Sequence, residues 1–176
     1  MVILPLLAVL VQALSGASID ALQAPTGTKA IVFLFTSTDC PISNRYAPEV
    51  RRIAESFARQ GVVFRIVYPN PFEDAKAIRE HMAAYSYAGV ADAVRDPTLA
   101  LVKFTGATVT PEAVVVAGGK VVYRGRIDDR YVDLGRERPA PTRRDLFDAL
   151  TAIVAGKPVA QATTQAVGCF IADFAR

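Results

Sequence analysis

The stretch Ala30-Ile-Val-Phe-Leu-Phe-Thr36, followed by Ser37-Thr38-Asp39-Cys40-Pro41-Ile42-Ser43-Asn44, decides the fold that the sequence predicts. An unbroken apolar run of this length is typical of a strand that is buried on both faces of a sheet. Polar turn residues then bring Cys40 to the start of an amphipathic segment. This order indicates a reactive cysteine thiol at the end of a buried strand.

The segment after Cys40 has the spacing of an α-helix, with apolar residues every three or four positions and charged residues on the other face. Pro41 suits the first helical position, because the N–H that it lacks would be unpaired there. Cys40 therefore occupies the capping position, where unpaired N–H groups and the helix dipole favour a thiolate and lower the cysteine pKa. The negative charge of the neighbouring Asp39 opposes this effect, because it disfavours a thiolate at Cys40. The apolar positions are Ile42, Tyr46, Val50, Ile53 and Phe57.

The rest of the chain predicts an α/β fold with a mixed central sheet. Residues 62–68 form a second apolar run, and strand–helix–strand at this length predicts parallel pairing with a right-handed crossover. Two further strands, 112–117 and 120–124, join through Gly118-Gly119 as an antiparallel hairpin. Helices are expected at 73–87, from a capping Asp96 to Phe104, and from a capping Thr142 to Gly156.

These residues resemble the thioredoxin superfamily: a buried strand, a cysteine–proline helix start, Pro48 eight residues after the cysteine, and Val109-Thr110-Pro111 before a strand. Asp39–Asn44, Thr110-Pro111-Glu112 and Tyr123–Asp129 are similar to bacterial redoxin-domain proteins related to alkyl hydroperoxide reductase and thiol-specific antioxidant. The resemblance covers residues 27–171. It implies a thioredoxin-like three-layer sandwich with helices on both faces of the sheet, and a cis Pro111 that faces Cys40.

The sequence also departs from the patterns of these families. Thioredoxins use Cys-x-x-Cys, whereas Ser43 stands three residues after Cys40 and cannot resolve a mixed disulfide. Peroxiredoxins have proline seven residues and Thr or Ser three residues before their cysteine, and these positions hold Phe33 and Ser37 in this chain. Peroxiredoxins also have an arginine roughly where this chain has Thr110-Pro111. A peroxidase interpretation thereby loses one charge-stabilising group.

The N-terminal residues 1–17 are expected to form a signal peptide. Residues 2–14 are apolar, and Ser15-Gly16-Ala17 supplies the small residues that a signal peptidase reads. No Lys or Arg stands near Met1, so a membrane anchor or a wrongly assigned start is the alternative. We expect a thioredoxin-like domain at 18–156, a tail at 157–176, and a periplasmic or otherwise extracytoplasmic location.

Composition indicates a globular protein, with 52% hydrophobic and 21% charged residues. A formal net charge of +3 is too small to predict nucleic-acid binding. No metal-finger spacing is present, and neither a metal nor a cofactor is expected. His81 is the only histidine, and packing against the sheet is favoured over a role as base or ligand. In the charged loop 125–141, Arg126 is a candidate substrate contact, although a solvated, self-paired loop is slightly favoured.

The second cysteine, Cys169, lies in an apolar patch of the tail. A buried free thiol is one interpretation, and pairing with Cys40 is the other, since no further thiol in the chain can resolve Cys40. The leading hypothesis is an extracytoplasmic thiol-disulfide oxidoreductase that acts on protein or small-molecule thiols and disulfides. Cys40 reacts, Ser43 donates a hydrogen bond to the thiolate, Pro41, Thr110 and Pro111 shape the docking surface, and Cys169 or an external thiol completes the cycle.

Two alternatives remain open from the sequence. One is a peroxiredoxin-like peroxidase, in which peroxide oxidises Cys40 to a sulfenic acid that Cys169 resolves. The other is a non-catalytic copper-handling or interaction domain, for which Cys40, Cys169, His81 and two methionines are the available soft ligands. No close-spaced ligand pair supports the copper interpretation.

Overall fold

A computed structural model describes residues 8–172, and its main feature is a seven-stranded sheet with helices on both faces. The strands of this sheet are β1 (Leu10–Ala13), β2 (Ser18–Asp20), β3 (Ala30–Phe35), β4 (Val62–Tyr68), β5 (Asp92–Arg95), β7 (Glu112–Ala117) and β8 (Lys120–Gly125). The helices are α1 (Pro41–Phe57), α2 (Ala75–Ala84), α3 (Ala100–Thr105) and α4 (Asp145–Val154). Short strands outside the main sheet are β6 (Val109–Thr110), β9 (Tyr131–Asp133), β10 (Arg136–Glu137) and β11 (Cys169–Phe170).

The sheet is mixed, as the sequence predicts, with the order β2-β1-β5-β4-β3-β7-β8. Strands β3, β4 and β5 run parallel, and β7 and β8 close one side in antiparallel fashion. On the other side β1 pairs antiparallel with both β2 and β5. Because β3 lies between β4 and β7, inside the sheet, its carboxyl end, which Cys40 follows, is flanked by strands on both sides.

Alternate side chains of β3 enter the two halves of the core. Val32 and Leu34 pack in the cluster that contains residues of α1, α2 and α4. Phe33 and Phe35 pack in the opposite cluster, with Leu101 of α3. Because β3 is covered on both faces, its sequence is continuously apolar rather than alternating. The three-layer α/β architecture predicted from the sequence is confirmed.

Two helix starts differ from the prediction. Helix α3 begins at Ala100 rather than after Asp96, although Asp96 Oδ2 still accepts a hydrogen bond from the N–H of Val102 at 2.9 Å. Helix α4 begins at Asp145, and Thr142 is not its cap. Thr142 instead donates from its N–H and its hydroxyl to the carboxylate of Asp129. A polar residue near a helix start can thus be taken by a tertiary partner that the sequence does not reveal.

The segment before residue 30 belongs in part to the sheet. Residues 1–7 of the expected signal peptide lie outside the described residues, whereas β1 lies inside that expected segment and carries the buried Val11. The buried Arg65 of β4 donates to the carbonyl oxygens of Ala21 and Gln23, which fastens the chain after β2. Cleavage after Ala17 stays a prediction, and it would remove one strand. No helix in the range 8–172 is long and apolar enough to cross a membrane.

The tail runs along strand β8, at the edge of the sheet. The N–H of Arg124 donates to the carbonyl of Ala162 at 2.9 Å, and the N–H of Thr164 donates to the carbonyl of Arg124 at 3.0 Å. A Cβ on Gly125 would lie only 2.1 Å from Thr164 Oγ1, so a glycine permits this close approach. The tail then crosses to the carboxyl end of β3, where β11 pairs antiparallel with β6.

Candidate active site

Cys40 lies between the end of strand β3 and the first residue of helix α1. It is the N-cap residue, with extended backbone angles (φ −80°, ψ 109°), and Pro41 occupies the first turn. None of the side chains that the structure describes caps this helix end with a hydrogen bond. The free N–H groups and the positive end of the helix dipole therefore point toward the sulfur, as expected from the sequence. The Cys40 side chain is buried, with 2% of its surface exposed.

The turn before Cys40 is held by a buried carboxylate. Glu73 Oε1 accepts hydrogen bonds from the N–H of Thr38 at 2.5 Å and from the hydroxyl of Ser37 at 3.0 Å. The Ser37 hydroxyl also lies 2.5 Å from Asp39 Oδ1. Glu73 Oε2 is buried and has no hydrogen-bond partner among the described residues. Glu73 therefore fixes the backbone that carries Cys40.

A second support for the same turn runs through the single histidine. Asn44 Nδ2 donates to the carbonyl of Thr38 at 3.1 Å, so Asn44 Oδ1 is the acceptor that faces His81 Nε2 at 2.8 Å. His81 Nε2 must then carry the proton, and His81 Nδ1 accepts from the Tyr68 hydroxyl at 2.8 Å. Burial lowers the pKa of His81, which keeps the ring neutral. With both nitrogens engaged, His81 is a packed structural residue, as favoured from the sequence.

The chain approaches Cys40 from the opposite side at Thr110 and Pro111. The peptide bond between them is cis, as the resemblance implies. The Thr110 carbonyl oxygen lies 3.2 Å from Cys40 Sγ, within reach of the protonated thiol. Both residues are buried. The edge at which a partner strand was expected to dock is occupied by the tail of this same chain, through the pairing of Cys169 with Thr110.

The tail places its cysteine directly beside Cys40. The two sulfur atoms are 3.3 Å apart, and both cysteines are free thiols. Gly168 allows this approach, because a Cβ at that position would lie 2.1 Å from the Thr110 carbonyl oxygen. The N–H of Ile171 donates to the carbonyl of Thr108 at 3.0 Å and holds the strand beyond the cysteine. A small movement would therefore bring the sulfurs to bonding distance.

The two thiols differ in acidity. Burial opposes ionisation of Cys40, but hydrogen bonds from the side chain and backbone of Ser43, together with Cys169 and Thr110, outweigh it and lower the Cys40 pKa. The Ser43 hydroxyl is buried and has no hydrogen-bond partner among the described residues while Cys40 is a neutral thiol, so the Cys40 thiolate is the acceptor that this hydroxyl can serve. Burial, the hydrogen bond to Cys40 and the negative charges of Cys40 and Asp39 raise the pKa of Cys169 to about 11. Cys40 thus ionises first, and Cys169 keeps its proton.

The sulfurs open into a cleft of about 260 Å³. Cys40, Cys169 and the carboxylate of Asp39 form its reactive end, and Phe170, with 84% of its surface exposed, stands on its wall. The complete lining is Ser37, Asp39, Cys40, Pro69, Asn70, Thr110, Cys169, Phe170, Ile171 and Ala172. A volume of this size suits a small molecule or one side chain.

Of the site residues expected from the sequence, the structure gathers Cys40, Pro41, Ser43, Thr110, Pro111 and Cys169 in one place. Arg126, the candidate substrate contact of the charged loop, lies apart from this group. Arg126 does not line the cleft, and its Nε donates to the buried carboxylate of Asp145 at 2.7 Å. A buried carboxylate requires a partner, so Arg126 serves the start of α4.

Sequence reasoning assigns no role to Glu73, Asn44 or Gly168. Glu73 contacts the turn across 35 residues of sequence, and Gly168 acts only through its contact with Thr110. Asn44 belongs to the motif after Cys40, and its position four residues beyond the cysteine is the one signal that the sequence offers. Within residues 8–172, no group of three or more His, Cys, Asp or Glu side chains is arranged to hold a metal.

Comparisons with known proteins identify the fold. No protein-family profile and no curated protein matches the sequence. Among solved structures, a hypothetical protein from Sinorhizobium meliloti 1021 is similar, with 23% identity, a TM-score of 0.78, and coverage of 94% of this chain and 91% of the other. An uncharacterized conserved protein from Geobacillus kaustophilus has 22% identity and a TM-score of 0.79, with coverage of 94% and 88%.

A third similar structure has a described activity. It is a secreted disulfide oxidoreductase of Mycobacterium tuberculosis that is homologous to E. coli DsbE, with 21% identity, a TM-score of 0.53, and coverage of 84% of this chain and 94% of the other. At these identities, the TM-scores show a shared fold and no more. The protein therefore has a thioredoxin-like fold, while its link to peroxiredoxin-like proteins rests on the sequence motifs alone.

Proposed function

We propose that the protein is an extracytoplasmic thiol-disulfide oxidoreductase in which Cys40 is the attacking thiolate and Cys169 is the resolving thiol. The observation that carries this proposal is the 3.3 Å separation of the two sulfurs, combined with opposite shifts of their pKa values. A pair of this kind needs one sulfur that is ionised and one that holds its proton in reserve.

The reaction proceeds in two exchanges. The Cys40 thiolate attacks one sulfur of a substrate disulfide, the substrate S–S bond breaks, and the released thiolate takes a proton from solvent. Cys40 is now part of a mixed disulfide. Cys169 then loses its proton, attacks the Cys40 sulfur and releases the second substrate thiol. The substrate gains two electrons and becomes two thiols, while Cys40 and Cys169 become a disulfide that an external dithiol reduces.

The causes of the raised Cys169 pKa support a role for Cys169 at the second step alone. Part of the rise in the Cys169 pKa comes from the hydrogen bond to Cys40 and from the charge of the Cys40 thiolate. Both contributions disappear when Cys40 enters a mixed disulfide. The Cys169 pKa then falls, and a larger fraction of Cys169 is ionised at the moment at which it must attack.

Ser43 takes the role of thiolate donor in this proposal. Its hydroxyl lowers the Cys40 pKa, and it is buried where no competing acceptor is bonded. Thr110 and Pro111 hold the backbone on the other side of the sulfur. When Cys40 is protonated, its thiol donates a hydrogen bond to the Thr110 carbonyl. In this proposal the neutral form of Cys40 bonds to the Thr110 carbonyl, and the ionised form accepts from the Ser43 hydroxyl.

The extracytoplasmic location is supported by the apolar residues 2–14 and by a pair of cysteines poised to form a disulfide. The similar Mycobacterium tuberculosis protein is described as secreted. Because β1 lies within residues 1–17, cleavage after Ala17 would remove a strand of the sheet. Cell fractionation determines the location, and N-terminal sequencing of the isolated protein determines its first residue.

A single-turnover experiment tests the proposed chemistry. The fully reduced protein is mixed with 2-hydroxyethyl disulfide, and we expect two molecules of 2-mercaptoethanol and two lost protein thiols for each protein molecule. Cys169→Ser should release one molecule and retain the other half of the disulfide on Cys40. Cys40→Ser should react far more slowly. Release of one molecule by the parent protein, or equal rates for parent and Cys40→Ser, would refute the assignment.

Hydrogen peroxide serves as the second oxidant in the same experiment. Peroxide reduction needs positive charge or strong donors at the leaving oxygen, and none of the described residues that line the cleft is Lys, Arg or His. We therefore expect oxidation by peroxide to be no faster than that of a free thiolate of equal pKa. A much faster reaction would favour the peroxidase.

A further inference from the structure

We propose that the cleft beside Cys40 selects small disulfides that are neutral or positively charged, and that Asp39 is the residue that discriminates against anionic ones. This inference rests on the proposed function, since it specifies the substrate class of the same thiol pair. It follows from three features: the covered edge of β6, the size of the cleft and the signs of the charges around it.

The first two features, the covered edge and the size of the cleft, limit the shape of the substrate. Cys40 is buried beneath the tail, and β11 already occupies the edge of β6 next to the cis peptide bond. An extended partner chain would have to displace Cys169 and Phe170 before it could pair there. A small disulfide needs no such displacement, because the cleft of about 260 Å³ leads to the sulfurs while the tail is in place.

The third feature is the charge around the cleft. Apart from the two cysteines, Asp39 is the only ionisable residue among the described residues that line the cleft. Glu73 adds a second carboxylate directly behind the Ser37–Thr38 turn. Arg95, a cation near Glu73, donates to the carbonyl oxygens of Glu73 and Pro71 and to Gln12 Oε1, and it does not line the cleft.

The charge of Asp39 reaches the reacting atoms. It contributes to the raised pKa of Cys169, so its field acts at the sulfur that adjoins Cys40. An anionic substrate would meet this carboxylate and the Cys40 thiolate together, whereas a cationic substrate would be attracted by both. A charge pair several ångströms apart near a protein surface changes a rate constant by roughly 3- to 10-fold per unit charge.

The apolar wall completes the description of the substrate. Phe170 and Ile171 of the tail line the cleft together with Pro69, and all three offer hydrocarbon contact to a substrate. Phe170 keeps 84% of its surface exposed, so its ring is accessible to a substrate in the cleft. A compact disulfide with short apolar arms and neutral or amino end groups fits this environment.

The test compares three disulfides of similar length: cystamine with two positive charges, neutral 2-hydroxyethyl disulfide, and 3,3′-dithiodipropionate with two negative charges. The rate constant for oxidation of the reduced protein is measured by acid quench and mass spectrometry. Each rate constant is divided by that for dithiothreitol with the same disulfide, which removes intrinsic differences in reactivity. We expect cystamine to be fastest and dithiodipropionate slowest, with a ratio of roughly 10-fold or more at low salt.

Three variants assign the effect to its residue. Asp39→Asn should reduce the cystamine-to-dithiodipropionate ratio by roughly 3- to 10-fold, and Asp39→Glu, which retains the charge, should largely preserve the ratio. Asp148→Asn removes the same charge from the exposed side of α4 and should leave the ratio unchanged, which controls for net charge. Because the readout is a ratio, a general loss of reactivity cancels.

The outcomes separate this inference from the function on which it rests. If 2-hydroxyethyl disulfide oxidises the Cys40–Cys169 pair but the normalised rates show no charge order, or the anion is fastest, the inference is wrong and the oxidoreductase proposal stands. An unchanged ratio in Asp39→Asn would also overturn it. If none of the three disulfides oxidises the pair, both proposals fail.

Discussion

Replacing Gly168 with alanine tests whether the tail is built to hold Cys169 against Cys40. The Cβ that Gly168→Ala introduces would lie 2.1 Å from the Thr110 carbonyl oxygen and 2.6 Å from its carbonyl carbon. Both contacts are with backbone, which cannot turn away as a flexible side chain can. Ordinary contact begins at 3.4 Å, so the tail must move outward by about 1.3 Å or more. The pairing between β11 and β6 would be lost or weakened.

The expected magnitude follows from the bonds that this movement breaks. Loss of about two backbone hydrogen bonds, at about 1 kcal/mol each, disfavours the closed tail by about 2 kcal/mol. This corresponds to a change of roughly 30-fold in an equilibrium constant. Since a Cys40–Cys169 disulfide requires the closed tail, the equilibrium constant for its formation against oxidised dithiothreitol should fall by the same factor. Alkylation and mass spectrometry of equilibrated samples measure it.

A matched control lies in the same tail. Gln165 is exposed, and its amide bonds only to the neighbouring carbonyl of Ala166, so Gln165→Ala should leave the equilibrium constant unchanged. Circular dichroism and urea unfolding establish that Gly168→Ala retains the fold. If Gly168→Ala forms the disulfide within 2-fold of the parent equilibrium constant, the close approach to Thr110 does not position Cys169 and our reasoning is wrong.

Three further outcomes follow from the same structure. In Cys40→Ala the hydrogen-bond partner and the charge that help to raise the Cys169 pKa are removed while burial remains, so this pKa should fall below about 11; an unchanged alkylation profile against pH would contradict the coupling. Ser43→Ala should raise the Cys40 pKa, because the hydroxyl is the largest of the contributions that lower it, and thiolate absorbance against pH in a Cys169→Ser background measures this. Deletion of residues 1–17 removes β1 and the buried Val11 and should lower the free energy of unfolding by about 2 kcal/mol or more; an equal urea midpoint would show that β1 is dispensable.

The central part of the fold could be predicted from local sequence patterns. The apolar run of β3 and the helical spacing after Cys40 are strong signals, and the observed α1 begins at the predicted Pro41. The hairpin through Gly118 and Gly119 is equally clear, because both residues have positive φ angles that favour glycine. These elements depend on interactions between neighbours in the chain, which a single sequence displays.

The rest depended on distant contacts. Thr142 has the character of a helix cap, but the Asp129 carboxylate, 13 residues earlier, takes its hydrogen bonds. Arg126 stands in a loop that suggests a substrate contact, and the burial of Asp145 determines its position instead. Gly168 carries no local signal, since its importance arises only where the tail crosses Thr110.

Non-reducing peptide mapping tests the central claim most directly. The reduced protein is oxidised with one equivalent of 2-hydroxyethyl disulfide, quenched with acid, alkylated and digested, and the peptides are identified by mass spectrometry. We predict one linked pair of peptides that carries Cys40 and Cys169, in monomeric protein, and its disappearance after treatment with reductant. Oxidised protein in which Cys40 and Cys169 are both recovered as separate adducts, or linked only between two chains, would contradict the assignment of Cys169 as the resolving thiol.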